Sequence, residues 1–462
     1  MPSIPLTPAE ERHALEVIGV QNIEDLFSTV PPKIRENADF KIDPGPGFDS
    51  TGRGLTEHEL RNYMGQMAAQ NAGGPGWSHF LGGGSYDNII PAIVGQLVLR
   101  GEFLTSPTPQ QPEISQGTLQ AIFEFQTLIA RLTGLPVANA SMVDGSTATA
   151  EACLMAQRLS DPKRQTVLLA GSLHPDYRKV TETFLRGHSQ LPLEVGWTSD
   201  GTLDLDALAG ALKENPTCVL VVGYPNYFGV MEPLDKIRAA LPSETLLTVA
   251  VSDPSSLSLF EAPGNLGADI VVGEAHQLGT PMLFGGPHVG FFASKKEFFR
   301  QMPGRFSCET VTKNNQRTYS LTLPSVESPI RSEKAASTRF SDTNQGLIAL
   351  RTTIYLSFLG KRGFQRLGEI NYSLFDYLVK ELESNGIPLK FKAGLHYREG
   401  VFEVPKLSGR FEKAVAQKII PGIRLCEKYP DREDFSGSLL ICVHPKHTKN
   451  DLDTLVEVIS NG

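Results

Sequence analysis

The spacing of apolar residues changes character twice along the chain. Over residues 1–70 it is helical: Thr7, Pro8 and Glu10 combine an N-cap, a first-turn proline and a capping-box glutamate, and Gly19 ends the run. Thr56 and Glu59 repeat the device ahead of Leu60, Met64 and Met67, which share one helical face. Between them "DPGPGFDSTGRG" (43–54) reads as a loop. From about Gln116 another helix is predicted, with Ile122, Phe125, Ile129 and Leu132 at its spacing and Gly134 as its stop.

Further on, the pattern becomes one of short apolar runs: "TVLLA" (166–170), "CVLVV" (218–222), "LLTVAV" (246–251) and "DIVV" (269–272), separated by helix-sized segments. Strands apolar at successive positions are covered on both faces, so this alternation predicts a parallel-rich α/β sheet with helices packed on it. Past residue 330 a long helical run to Ser384 leads into the strands "VFEV" (401–404) and "SLLICVHP" (438–445) and a last helix from near Thr448. The expected organisation is a helical N-terminal segment (1–70), a large α/β domain (71–330) and a small C-terminal α+β domain (331–462).

Composition narrows the function classes. The 462 residues are 40% hydrophobic and 20% charged, the balance of a soluble globular protein with a substantial core. Acidic residues outnumber basic ones, 51 to 43, and the net charge of −8 gives no general attraction to nucleic acid or an anionic membrane. The five cysteines are widely spaced and lack a C-x-x-C pair, which suggests free thiols in a reducing compartment. The acidic N-terminus has no apolar signal region and no run has the length of a membrane span, so a cytoplasmic location is expected.

Four stretches could carry chemistry. Gly82–Gly84 precede Ser85, Tyr86 and Asp87, where a flexible backbone can approach another group closely. Gly145, Ser146 and Thr147 open an alanine-rich helix and could offer N–H groups and hydroxyls to an anion, or Ser146 or Thr147 could simply be its N-cap. Asp253 ends a buried strand, where ligands of parallel sheets bind, although Asp-Pro is also an ordinary turn. His276 and Gln277 end the next strand ahead of the glycine loop "FGGP" (284–287); a lone histidine is more often structural than catalytic. A fifth stretch, "HPKH" (444–447), is expected to be a surface loop; no metal site is assigned to it.

The order of helix start, strand-end aspartate and next strand end is that of the anchors in fold-type I pyridoxal phosphate (PLP) enzymes. There they serve phosphate, pyridinium nitrogen and Schiff-base lysine. Here Gln277 stands where the lysine is due, and an amide forms no imine. The nearest downstream lysines, Lys295 and Lys296, follow the "VGFFAS" strand.

Nearly the whole chain resembles the P-protein family of the glycine cleavage system, in the form of subunit 1 of the split glycine dehydrogenase (decarboxylating). The resemblance runs through "QPEISQGTLQAIFEFQTLIARLTGLPVANASMVDGSTATAEACLMA", "GADIVVGEAHQLGTPMLFGGPHVGFFASKKEFFRQMPGR" and "TKNDLDTLVEVI". It implies two related halves of PLP-enzyme fold, with PLP held covalently by the partner, subunit 2. His276 would correspond to a histidine beside that partner lysine. No residue of this chain is assigned a catalytic role. The resemblance further implies a heterotetramer, inactive without subunit 2, that decarboxylates glycine and passes its aminomethyl group to the lipoyl arm of H-protein. Ser85, Tyr86, Asp87, Glu113, Ser115, Gln116 and His276 are the cleft or interface candidates, with Gly145, Ser146, Thr147 and Asp253 as vestiges of a cofactor site.

The chain departs from the family pattern at Asn88, Gln110 and Pro329, where the resemblance leads one to expect His, Tyr and His, and residues 47–54 look inserted. Changes in polar loops on a retained scaffold leave two alternatives open: a diverged binding or scaffold subunit, or a subunit of a specialised amino-acid pathway. A self-sufficient PLP enzyme using another lysine is a third.

Overall fold

The computed structural model describes residues 6–37, 55–74, 76–104, 111–187, 191–283, 285–322 and 345–461. Gln110, Pro329 and the 47–54 stretch lie outside them. The chain divides into two units, residues 1–74 and 75–462. The first holds helices α1 (Pro8–Ile18), α2 (Pro32–Asn37) and α3 (Glu57–Ala68). Complete capping boxes at Thr7/Glu10 and Thr56/Glu59 start α1 and α3, and Gly19, in the left-handed region at φ 87°, ends α1.

The second unit begins with β1 (Ser78–His79), α4 (Ala92–Val98), α5 (Gln116–Thr133) and β2 (Val137–Ala138). It continues through α6 (Gly145–Leu159), β3 (Thr166–Ala170), α7 (Pro175–Leu185), β4 (Leu193–Val195), α8 (Leu205–Glu214) and β5 (Thr217–Gly223). After α9 (Leu234–Ala240) come β6 (Leu246–Val251), β7 (Ile270–Glu274) and β8 (Gly290–Ser294). These strands form a seven-stranded sheet of order β2-β8-β7-β6-β5-β3-β4. From β4 to β7 all neighbours are parallel, while β8 and β2 close one edge antiparallel. Every residue of β3, β5, β7 and β8 is buried, as their unbroken apolar runs require of strands covered on both faces.

The chain then forms the hairpin β9 (Phe306–Val311) and β10 (Arg317–Thr322) and the long α10 (Gly346–Ser384). Gly360, at φ 58° and ψ −176°, divides α10 into two helices with different tasks. Ile348 and Ala349 join the core of the large sheet, whereas Phe375, Leu378 and Leu382 join a second core. That second core covers an antiparallel sheet of order β11-β14-β13, from β11 (Glu399–Glu403), β13 (Ile423–Arg424) and β14 (Ser438–Cys442). Helices α11 (Leu407–Ala416) and α12 (Lys449–Ser460) complete it. The residues at 78–80 join this small sheet's layer: β1 pairs in parallel with β12 (Ile419–Ile420), and Phe80 lies in the second core. No helix among the described residues is long and apolar enough to cross a membrane.

Candidate functional site

Asp253 and Gln277 lie just past the carboxyl ends of β6 and β7, the edge where parallel sheets bind ligands. Both are buried and both are already engaged. Asp253 Oδ1 accepts from the Ser255 amide at 3.1 Å and hydroxyl at 2.7 Å, and Oδ2 accepts from Arg398 Nε at 2.5 Å. Arg398 Nη1 donates to Asn88 Oδ1 at 2.9 Å, and Asn88 Nδ2 donates to the Gln277 carbonyl at 3.1 Å. The Gln277 side chain turns inward and donates from Nε2 to Ser252 O at 2.8 Å. A continuous network therefore runs from one strand end to the next through Arg398, whose side chain is fully buried.

The glycine loop closes over that arginine. The Tyr86 ring lies 4.3 Å from the guanidinium carbon, a cation–π contact, and Nη2 has no hydrogen-bond partner. Tyr86 donates its hydroxyl to Glu399 at 2.6 Å, and the Gly83 amide donates to the same carboxylate at 2.8 Å. Gly82 is needed here, because a Cβ would come within 2.6 Å of the Cys442 Cβ. Burial pushes the Glu399 carboxyl up to about 7 against the opposing pull of these donors. Of the three loop candidates only Ser85 is exposed. Tyr86 is buried, so its side chain braces Arg398 and does not line an open cleft. Asp87 is held by Lys446 at 2.6 Å and His79 at 3.7 Å.

The start of α6 differs from expectation. Its N-cap is Asp144, not Ser146 or Thr147: Asp144 Oδ1 accepts from the Thr147 amide at 2.7 Å and the Ser146 hydroxyl at 2.6 Å. The Gly145 amide donates to Glu274 at 3.2 Å. Two carboxylates thus hold the N–H groups a phosphate would need, and they repel a phosphate. The hollow lined by His174, Tyr177, Tyr227 and Ser252 measures about 10 Å³, space for at most one water. Asp253 is committed to Arg398, and an amide stands at Gln277. These residues do not fit PLP bound to this chain. Lys295 offers no substitute, since it pairs with Asp269 at 2.5 Å, before β7 begins, whereas Gln277 follows the strand's other end.

Other candidates serve to hold loops. Gln116 clamps the β10 strand, donating to Tyr319 O at 2.9 Å and accepting from its amide at 2.8 Å. Ser115 is buried and Glu113 exposed. The "HPKH" stretch is a loop with Lys446 exposed, as expected, but its first histidine turns inward. His444 is buried, its Nδ1 accepting from the Asp87 amide at 3.2 Å, and His447 stacks on Phe80 at 4.3 Å between ring centres. Burial drives the His444 pKa well below the ordinary imidazole value.

His276 faces a neighbour the sequence did not single out. Glu274, the last residue of β7, has Oε1 at 3.2 Å from His276 Nδ1 and Oε2 at 3.4 Å from His288 Nδ1. Burial pushes the Glu274 carboxyl up, but the two imidazoles facing it pull harder and hold it at about 2. Arg398 and Glu399 were also missed. Their signal was an Arg-Glu pair in "HYREGVFEV" at the entrance of an otherwise apolar strand, a place where charges need partners.

Comparison with known proteins identifies the family. The glycine cleavage system P-protein family profile matches residues 1–459. A probable glycine dehydrogenase (decarboxylating) subunit 1 from Aquifex aeolicus (strain VF5) is 40% identical over 459 residues, covering 99% of this chain and 100% of its own. One of the same description from Desulfitobacterium hafniense (strain DSM 10664 / DCB-2) is 41% identical over 455 residues, 98% of each chain. A crystal structure of glycine decarboxylase (P-protein) of the glycine cleavage system, in inhibitor-bound form, superposes with a TM-score of 0.83 at 32% identity over 100% of both chains. A sphingosine-1-phosphate lyase from Burkholderia pseudomallei, at 15% identity and TM-score 0.62 over 88% of this chain and 91% of its own, shares the fold alone. The architecture is that of the fold-type I PLP enzymes.

Proposed function

The chain belongs to the glycine cleavage system P-protein family, and from that premise we propose that it is the half of a glycine decarboxylase that carries no PLP. In this reading subunit 2 holds the cofactor through its own lysine, and this chain supplies one wall of a shared cleft in a heterotetramer. Glycine is decarboxylated there and its aminomethyl group passes to the lipoyl arm of H-protein. PLP on the partner supplies the electron sink for that decarboxylation.

One observation carries the reading: the place of the lysine is taken by Gln277, and the aspartate opposite is consumed by a buried arginine. Such a half keeps the scaffold while giving up the cofactor. The Asp253–Arg398–Asn88–Gln277 network, with Tyr86 and Glu399 over it, plugs this chain's own site and stiffens the edge that carries the loops. Ser85 and Glu113 are exposed on those loops and are proposed to face the partner.

The test is glycine–bicarbonate exchange with H-protein, measured for this chain, for a subunit 2 and for their mixture. Exchange in the mixture alone supports the proposal. Exchange by this chain unaided, or no stimulation of any subunit 2, contradicts it.

A further inference from the structure

Glu274, His276 and His288 converge where the chain leaves β7 and turns back into β8. One ligand atom from each lies within 4.8 Å of the others, the one such group of three among the described residues. The Glu274 side chain and His276 are buried, and the His288 side chain is 40% exposed although its Nδ1 is turned inward and buried. The two rings meet edge to face with centroids 4.9 Å apart.

The hydrogen bonding of this cluster is incomplete in a particular way. Glu274 Oε1 accepts from the His276 amide at 3.1 Å and the Val289 amide at 2.9 Å, which uses both its lone pairs. Oε2 accepts only from the Gly145 amide, so one lone pair is left on the His288 side. Both imidazole Nδ1 atoms come within 3.4 Å of this carboxylate, yet neither makes an aligned hydrogen bond. Two such ring nitrogens beside a carboxylate with a spare lone pair resemble ligands around a cation more than donors aimed at an acceptor.

We propose that Glu274, His276 and His288 form a binding site for a divalent transition-metal ion of the zinc class. Two imidazole nitrogens and one carboxylate oxygen are the donors such ions select, whereas magnesium and calcium prefer oxygen throughout. Bonds of about 2.0–2.1 Å in a tetrahedral shell set ligand atoms roughly 3.3 Å apart. The His288 Nδ1–Oε2 edge, 3.4 Å, already has that length, while His276 Nδ1 lies 3.2 Å from the other carboxylate oxygen and within 4.8 Å of the remaining ligand atoms. The shell closes by movement of His288, which stands on an irregular segment with Gly285 in the left-handed region at φ 102°. The fourth position falls to water or to a group from outside the chain. The ion would clamp the end of β7, the return into β8 and, through Glu274, the start of α6. It would do so immediately beside Gln277 and independently of how the cofactor is divided between subunits.

The full-length chain, stripped with a chelator, is titrated with Zn²⁺ by calorimetry and with Co²⁺ by visible absorption. The expected result is one ion per chain, tetrahedral Co²⁺ bands, and a rise in melting temperature with Zn²⁺. His288→Ala, at a partly exposed position, and His276→Ala should each weaken binding by at least the ~10–100-fold typical of losing an outer-shell partner. They should abolish the Zn²⁺-dependent rise, while His58→Ala on α3 leaves both unchanged. His288→Ala also has a folding control in its circular dichroism spectrum. Absence of tetrahedral Co²⁺ bands in the parent chain, or Zn²⁺ binding unchanged by both histidine substitutions, would overturn the proposal and leave an imidazolium–carboxylate contact.

Discussion

Asp253 and Glu274 are buried carboxylates at the carboxyl ends of adjacent parallel strands, and their surroundings are opposite in kind. Asp253 is matched by a fixed charge: besides two donors from Ser255 it holds a fully buried arginine, which is itself covered by an aromatic ring. Glu274 is ringed by three backbone amides and two imidazoles whose facing nitrogens find no aligned hydrogen bond. The first region is closed by a buried ion pair, and the second holds two imidazole nitrogens without an aligned hydrogen bond, the place of the proposed metal site. A retained residue at a retained place therefore does not imply a retained task; the partners across the chain decide it.

The strongest way to break the comparison is Asp253→Ala. It leaves the Arg398 charge buried without its counter-ion and should cost about 3–5 kcal/mol in urea unfolding. Asp253→Leu combined with Arg398→Met should recover most of that loss, because a buried pair replaced as a unit is often neutral. If the double variant is as unstable as the single one, the pair is not the plug described. Gln277→Lys comes next. An ammonium placed at this fully buried position should destabilise by roughly 2–4 kcal/mol. With PLP and borohydride the variant should still acquire no pyridoxyl group at residue 277, since the place of the ring is filled. Tyr86→Phe removes one donor from the buried Glu399 carboxylate and should cost about 1–3 kcal/mol in the same assay.

The smallest effect is a pH slope. Glu399 rises from the ordinary 4.5 to about 7 on folding, so between those values the native chain binds a proton that the unfolded chain has lost. Its contribution to stability is complete below pH 4.5 and is lost as pH rises through 7. Glu399→Gln should flatten that decline; an unchanged slope between pH 4.5 and 7 would show that Glu399 does not carry it.

Local features were legible in the sequence. The capping boxes at Thr7, Thr56 and Thr448 depend on residues three apart, and the central strands announce themselves because both faces are covered. The α6 cap was misread because Asp144, Ser146 and Thr147 can all cap locally, and the choice depends on hydrogen bonds that include Glu274 from β7. Arg398 was illegible for the same reason at longer range: its partners Asp253 and Asn88 lie 145 and 310 residues away in the chain. The "HPKH" stretch looks polar enough for a surface, yet Asp87, His79 and Phe80 cover its histidines from the other end of the second unit. Thus the scaffold and the glutamine at 277 could be read directly, whereas the buried arginine that pairs with Asp253 could not.

The central claim is that this chain builds its part of a shared site without carrying the cofactor. Its most direct test is to co-purify the chain with a subunit 2 in the presence of PLP, reduce the complex with borohydride, and determine native and peptide masses. The account predicts a complex of two copies of each chain with a pyridoxyl-lysine on the partner alone. A pyridoxyl group on one specific lysine of this chain, or failure of the two chains to associate, would contradict it.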